Sequence, residues 1–247
     1  LSAWVTRNDP PTDLPTVGAL DIRNQCSGFI YALSVADQYI KTGMYKNILV
    51  IGAETQSPAL DMSTRGRNMA VLFGDGAGAA VVSRSDDPAR GILSTHLHSQ
   101  GEHATELAMI TPGVGTKWVP QILAENDPDD VSYYPYMNGQ FVFKNAVVRF
   151  AEVIEEGLKA NGLSREDISI LIPHQANYRI SQFVQHQFKL SDEQIFNNIM
   201  KYGNTTAASV PIALTEAVQQ GRIKEGDLVV LAAFGSGFTW GSAIIRW

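Results

Sequence analysis

The sequence predicts an α/β fold assembled from two related halves. Helical and strand patterns alternate along the chain, which is the mark of that class. Residues 47–53 (Asn-Ile-Leu-Val-Ile-Gly-Ala) form a continuous apolar run, as expected of a strand buried on both faces. One order of elements also occurs twice. Ala-Leu-Ser-Val-Ala (32–36) leads through Gly43 and Lys46 into that run, and Phe73-Gly-Asp-Gly then precedes Ala-Ala-Val-Val-Ser-Arg (79–84). Ala-Leu-Thr-Glu-Ala (213–217) leads through Gly221 and Lys224 into Leu-Val-Val-Leu-Ala-Ala, and Phe234-Gly-Ser-Gly then precedes Gly-Ser-Ala-Ile-Ile-Arg (241–246). A single Ala-Leu-x-x-Ala match is common in helices, but two sets of matches in the same order argue for duplication. A pseudo-twofold axis between the copies would bring their helix starts together, and with them Cys26 and Asn204.

In chain order, residues 17–22 are a short apolar strand candidate ending at the polar turn Arg23-Asn24-Gln25. From 27 to about 41, Phe29, Ile30, Leu33, Ala36, Tyr39 and Ile40 recur at helical spacing, and Gly43 supplies the stop. Residues 77–82 and 92–98 are further strands. The stretch 111–137 has four prolines, two glycines and the acidic group Glu125, Asp127, Asp129 and Asp130, which reads as an irregular, solvated loop or cap. Residues 139–160 form a long helix with Phe143, Val147, Phe150, Ile154 and Leu158 on one face. Ser164-Arg165-Glu166-Asp167 has the pattern of a capped turn before a strand at 168–172. Helices at 177–189 and 206–220 and strands at 228–233 and 242–246 follow.

Composition narrows the function. The 247 residues are 45% apolar and 18% charged, a globular balance that argues against disorder and suits one large or two small domains. A net charge of −6, from 19 basic and 25 acidic residues, argues against a nucleic-acid partner. One cysteine cannot make an intrachain disulfide, which points to a reducing, cytoplasmic setting. No apolar run of about 18 residues is present to span a membrane. Leu-Ser-Ala-Trp at the start shows no basic region followed by an apolar stretch, so no signal peptide is expected there, and without an initiating Met the chain is expected to be processed or partial.

Cys26 sits between a predicted strand end and a helix N-terminus, where the helix dipole and free N–H groups favour a thiolate nucleophile. The bland alternative is a packing cysteine. His174 lies just past a strand's C-terminal end, where open α/β sheets place ligands, although a structural histidine fits equally well. Asn204, in Tyr-Gly-Asn-Thr-Thr, reads either as a site residue or as a helix N-cap. Gly235-Ser236-Gly237 after a buried strand would point backbone N–H groups into a cavity, as an oxyanion hole requires, or form a plain turn. Gly74, Gly76 and Gly78 are spaced GxGxG and precede a strand, so they are not a dinucleotide loop. His96 and His98 share a strand face and His103 follows, but no cysteine or paired carboxylate joins them. Packed or solvent-facing histidines are therefore preferred to a metal site. The acidic group at 125–130 lacks the spacing and glycine of a calcium loop.

At Cys-Ser-Gly-Phe-Ile-Tyr-Ala-Leu (26–33), Phe-Gly-Asp-Gly-Ala-Gly-Ala (73–79), Pro-His-Gln-Ala-Asn (173–177), Gly-Asn-Thr-Thr-Ala-Ala-Ser-Val-Pro (203–211) and Phe-Gly-Ser-Gly-Phe-Thr-Trp-Gly (234–241), the chain resembles the 3-oxoacyl-(acyl-carrier-protein) synthase III family, the condensing enzymes that initiate bacterial fatty-acid synthesis. The resemblance runs from about Gly18 to Trp247. It implies a thiolase-like α-β-α-β-α layered fold of two related halves. Residues 1–88 would be the remainder of the N-terminal half, with the nucleophile, and 89–247 the C-terminal half, with an insertion at about 111–137.

The same resemblance implies roles. Cys26 would take an acyl group from acyl-CoA, while His174 and Asn204 would promote decarboxylation of malonyl-carrier-protein. The backbone N–H groups of Cys26 and Ser236 would form the oxyanion hole, Ser236 standing where the family usually has glycine. Arg65, Gly139, Phe143, Asn177 and Arg179 match the coenzyme A entrance, and Phe73 the acyl pocket. Lys144 and Arg179 would belong to a basic patch that docks an acidic carrier protein. A homodimer is implied, with no cofactor or metal beyond the coenzyme A thioester as substrate. Two departures stand out: 111–137 is longer than the family version, and most of the β/α region expected before the nucleophile is absent, which reads as a fragment. Other readings are a polyketide or long-chain condensing enzyme, an acyltransferase of secondary metabolism, or a non-catalytic partner subunit.

Overall fold

Cys26 lies in a 3₁₀ turn, Gln25–Ser27, that runs directly into helix α1 (Gly28–Lys41). α1 buries Phe29, Ile30, Leu33 and Ala36, the stripe its spacing predicts, and Gly43, at φ 77°, turns the chain out of it. β1 (Asn47–Glu54), the one-turn helix α2 (Arg67–Ala70) and β2 (Gly76–Ser83) follow. β1 and β2 pair antiparallel, from Asn47 opposite Ser83 to Glu54 opposite Gly76. Next come β3 (Gly91–Ser99), β4 (Leu107–Ala108), β5 (Tyr136–Met137) and α3 (Gly139–Ala160). The chain ends with β6 (Ile170–Pro173), α4 (Tyr178–Phe188), the short α5 (Ile199–Tyr202), α6 (Ser209–Gln219), β7 (Leu228–Gly235) and β8 (Thr239–Arg246). This computed structural model describes residues 17–111 and 130–247.

Four strands form one sheet in the order β3-β8-β7-β6, in which β6 runs parallel to β7 and the other pairs are antiparallel. One face, through Leu171, Val230, Ala232 and Ile244, packs on α3 and α4 residues such as Phe150, Ile154 and Val184. The other, through Ile170, Ile172, Val229, Leu231 and Ala243, packs on α1 and α6. Beyond α1 and α6 lies the β1–β2 pair, which contributes Val50 to the same core. The described residues thus stack as α, β, α, β, a thiolase-like arrangement. Burial of β7 along its whole length explains why its sequence carries no polar alternation.

The repeat is visible in three dimensions. Helix, strand and antiparallel strand recur as α1-β1-β2 and α6-β7-β8, each helix preceded by a 3₁₀ turn, Gln25–Ser27 in one copy and Thr206–Ala208 in the other. The turns abut, since a Cβ built on Gly28 would lie 3.4 Å from the Cβ of Ala207. The close approach of β2 to α6 requires Gly78, where a Cβ would come within 2.8 Å of the Ile212 backbone nitrogen.

Two expectations are corrected. Residues 17–22 are not a strand: they pair with no described strand, and Val17 and Leu20 are exposed. An apolar pattern alone cannot supply the neighbouring ladder that a strand needs. β1 is covered on one face only. Leu49 is 55% exposed and its cross-strand partner Val81 66%, because no described element packs on that side. Of the acidic group, Glu125, Asp127 and Asp129 lie outside the described residues, as do the N-terminal Leu1–Trp4 and most of the 111–137 segment. Asp130 caps a single turn by accepting the Ser132 N–H at 2.9 Å.

Candidate active site

A cavity of about 140 Å³ opens between the two halves. Cys26, His174 and Asn204 all line it, with Phe73, Gly139, Phe143 and Asn177, and Phe150 and Phe234 make its walls largely apolar. Cys26 arrives from the turn before α1, His174 from the end of β6, and Asn204 from the segment before α6. The abutting of the two turns brings Cys26 and Asn204 together, and β6 delivers His174 beside them.

Cys26 is 6% exposed. Burial pushes its thiol up to about 12 and the Glu54 charge pushes the same way, while the N–H groups of Ser236 and of Cys26 itself pull down. The thiolate expected from the helix start is therefore not the resting form. Removing a charge from water costs more here than the two backbone N–H groups return. The Ser236 N–H donates to the sulfur, as the Gly235-Ser236-Gly237 pattern allows. Gly235 is required because a Cβ there would lie 2.8 Å from the Cys26 Sγ.

His174 is buried, and its backbone N–H donates to the Ala232 carbonyl at 2.7 Å, fixing it to the end of the sheet. Its Nδ1 lies 2.6 Å from the Ser209 hydroxyl, which itself accepts the Gln175 N–H at 3.3 Å. With that N–H supplied to its oxygen, the Ser209 hydroxyl is placed to donate to Nδ1, which puts the ring proton on Nε2. Nε2 is buried and has no partner among the described residues, so it is a donor available to an oxygen atom in the cavity. Burial holds the imidazole down at about 3, hence neutral.

Asn204 is not the N-cap of the helix that follows, where Ala208 holds that position. Its Oδ1 instead accepts the Thr206 N–H at 2.9 Å within the preceding turn, and this leaves the carboxamide NH₂ for the cavity. Its backbone is tied to the first half, its N–H donating to Leu72 O at 2.8 Å and its carbonyl accepting from Gly74 at 3.0 Å. Preorganised neutral donors beside a buried thiol suit chemistry in which negative charge develops on an oxygen.

The remaining expected site residues separate. Asn177 lines the cavity and also caps α4 by accepting the Arg179 N–H at 2.9 Å. Arg179 and Lys144 are exposed, on the two helices that supply cavity residues. Arg65 does not line the cavity; it pairs with Asp61 at 2.6 Å and lies over the Tyr134 ring at 4.2 Å. His96 and His98 share a face of β3 and meet one carboxylate, Glu156 of α3, at 3.1 and 2.6 Å. His103 packs edge-on against Phe141. No cluster of three metal-ligating groups occurs among the described residues. A wider groove of about 430 Å³ bordered by α5 and α6 is lined by no cysteine, histidine or serine among the described residues, and its Lys201 and Glu216 pair with each other at 2.7 Å.

Comparison with known proteins agrees with this arrangement. The family described as 3-oxoacyl-[acyl-carrier-protein] synthase III matches residues 20–101, and its C-terminal family matches residues 158–247. The chain is 48% identical over 232 residues to the beta-ketoacyl-[acyl-carrier-protein] synthase III of Rhodospirillum centenum, covering 93% of this chain and 67% of that protein. Among solved structures, the 3-oxoacyl-[acyl-carrier-protein] synthase III of Aquifex aeolicus VF5 superposes with a TM-score of 0.78 at 43% identity, covering 90% of this chain and 65% of that one. The priming beta-ketosynthase of the R1128 polyketide pathway superposes at 0.76 with 31% identity, covering 90% and 64% respectively. The chain thus spans about two thirds of the length of these relatives.

Proposed function

The chain belongs to the 3-oxoacyl-[acyl-carrier-protein] synthase III family, and from that premise we propose that it carries the site of a decarboxylating Claisen condensation between an acyl-CoA and a malonyl-carrier-protein. The supporting observation is the convergence of the Cys26 thiol, the His174 Nε2 (unpartnered among the described residues) and the Asn204 carboxamide on one cavity with apolar walls.

In the first step the Cys26 sulfur attacks the acyl carbonyl. The S–C bond to Cys26 forms, the bond to coenzyme A breaks, and the thiol proton leaves with the coenzyme A sulfur. The N–H groups of Cys26 and Ser236 hold the tetrahedral oxyanion. The thiol's high pKa means that its proton departs as the acyl bond forms. In the second step the malonyl thioester loses carbon dioxide, and its carbonyl oxygen becomes an enolate held by His174 Nε2–H and the Asn204 NH₂. A neutral imidazole suits this task because it donates without needing a buried positive charge. The enolate carbon then attacks acyl-Cys26; a C–C bond forms, the C–S bond breaks, and the sulfur takes up a proton from solvent.

Coenzyme A enters only as the carrier of the acyl group, and no further cofactor is needed. Lys144 and Arg179 would supply the positive edge for an acidic carrier protein. Homodimer assembly and a cytoplasmic setting belong to the same proposal. Likeness to a polyketide priming synthase favours a second reading, a starter condensation in secondary metabolism, which a product profile over short, branched and long acyl-CoAs separates from the first.

Incubation with acyl-CoA followed by peptide mass analysis tests the nucleophile. The acyl mass is expected on the Cys26 peptide and absent in Cys26→Ser. His174→Ala and Asn204→Ala should each slow carbon dioxide release by roughly two to three orders of magnitude while sparing acylation. Label that survives in Cys26→Ser refutes the reading.

A further inference from the structure

The duplication gives Cys26 a counterpart in the second half. Gln25 and Thr206 each open a 3₁₀ turn with positive φ, 39° and 51°, and Cys26 and Ala207 are the residues that follow. The two turns are held differently. At Cys26 the second half supplies the Ser236 N–H to the sulfur. At Ala207, which has no functional side chain, the first half supplies a carboxylate: Glu54, the last residue of β1, accepts the Ala207 N–H. Two residues on, the Gln56 side-chain amide donates to the Thr206 hydroxyl. The Gln56 turn is itself fixed by Asp75 of the Phe73-Gly-Asp-Gly motif, whose Oδ1 accepts the N–H groups of Gln56 and Ser57 at 2.6 and 2.9 Å.

Thr206 has a reason to need this grip. A β-branched residue at φ 51° is a strained conformation that its surroundings must impose. The Thr206 N–H is also the group that Asn204 Oδ1 binds, at 2.9 Å, so the orientation of the carboxamide depends on where this turn lies. Glu54 is half-buried, and burial raises its carboxyl above the ordinary range against the pull of the Ala207 N–H. A carboxyl group is an expensive choice for a plain structural brace at such a place.

We propose that Glu54 is a positioning residue for Asn204: by accepting the Ala207 N–H, with Gln56 on Thr206, it holds the strained turn so that the carboxamide NH₂ faces the cavity. This inference rests on the reading of Asn204 as an enolate donor and adds the residue that sets its place.

The test compares Glu54→Ala with Glu54→Gln, since glutamine keeps an oxygen acceptor and alanine does not. In Glu54→Ala, carbon dioxide release from malonyl-carrier-protein should fall roughly tenfold in kcat with little change in KM, without slowing of Cys26 acylation. Glu54→Gln should recover most of the loss. Amide hydrogen exchange over residues 203–209 of the unliganded chain should quicken in Glu54→Ala and not in Glu54→Gln. If Glu54→Ala does not fold, Gln56→Ala carries the test with the same split between the two steps. Equal loss of acylation and decarboxylation, or no rescue by glutamine, overturns the proposal. Unchanged exchange in Glu54→Ala also overturns it, whatever the activity. A wild type that takes up acyl groups but releases no carbon dioxide would instead refute the functional reading, leaving the exchange result to judge Glu54.

Discussion

Ser209 shows how a residue that never meets the substrate can decide what a site does. Its hydroxyl is placed to give a proton to His174 Nδ1, and the ring then presents Nε2–H to the cavity. Ser209→Ala removes that bias, so the Nε2 lone pair, which repels an enolate oxygen, becomes populated. Carbon dioxide release should fall about tenfold, less than for loss of the donor itself, with acylation of Cys26 unaffected. Nitrogen NMR of the labelled imidazole gives an independent check: a tautomer ratio unchanged by Ser209→Ala would refute the assignment. Cys26, His174 and Asn204 were legible in the sequence because each sits where an element ends and the duplication ties two of those ends together. Ser209 and Glu54 were not, since each acts through a long-range contact, 35 positions apart for His174 and Ser209, with no spacing rule behind it. The charge state of Cys26 was misread for a related reason: sequence shows a helix start but not how much water the fold removes from it.

At the scale of elements, local signals that complete themselves within a few residues were the readable ones. α3 spans Gly139–Ala160 as its spacing indicates, with Asn138 accepting the Phe141 N–H at its start. The turn at Ser164–Asp167 forms the expected capping box. The α2 and α5 turns carry too few residues to show a period, and residues 17–22 carry a pattern without a partner. β1 is the informative failure, because an apolar run reports what a strand is built to touch and not whether a neighbour is there. Leu49 and Val81 face each other across the pair, both more than half exposed, with Ile51 and Ala79 next along the same side. An apolar sheet face of this kind promotes association. The 247-residue chain expressed alone should therefore bind a hydrophobic dye and self-associate. Leu49→Lys with Val81→Lys should reduce both effects with little change in thermal stability, since neither side chain is in the core. Dye fluorescence and light scattering that do not respond to the double change would show that this face is not the source.

The whole molecule places its two ionisable reacting groups between layers, and their displaced pKa values become a property of the entire fold. His174 ordinarily titrates at 6.5 and is held at about 3 by burial. Below about pH 6.5 the unfolded chain binds a proton that the folded site refuses, so stability falls progressively as pH drops from there toward about 3. Cys26 moves the other way, from 9.0 to about 12, chiefly by burial. Its neutral thiol favours the fold fully below about pH 9, and that contribution is lost as pH rises from about 9 toward 12. Stability should thus be flat with respect to these two groups between about pH 6.5 and 9 and decline on either side. Carboxylates held low, such as Glu216 under its bonds from Lys201, Tyr202 and Asn198, steepen the acid side as they protonate. Thermal melts separate the contributions: His174→Gln should lose stability less steeply than the wild type on the acid side alone, and Cys26→Ala on the alkaline side alone. Each difference should be on the order of a few kcal/mol at its extreme, since one unit of pKa displacement corresponds to about 1.4 kcal/mol. Melting curves of both variants that run parallel to the wild type at every pH would mean that water reaches the sulfur and the imidazole, and with it the dry cavity on which the proposed condensation depends would be lost.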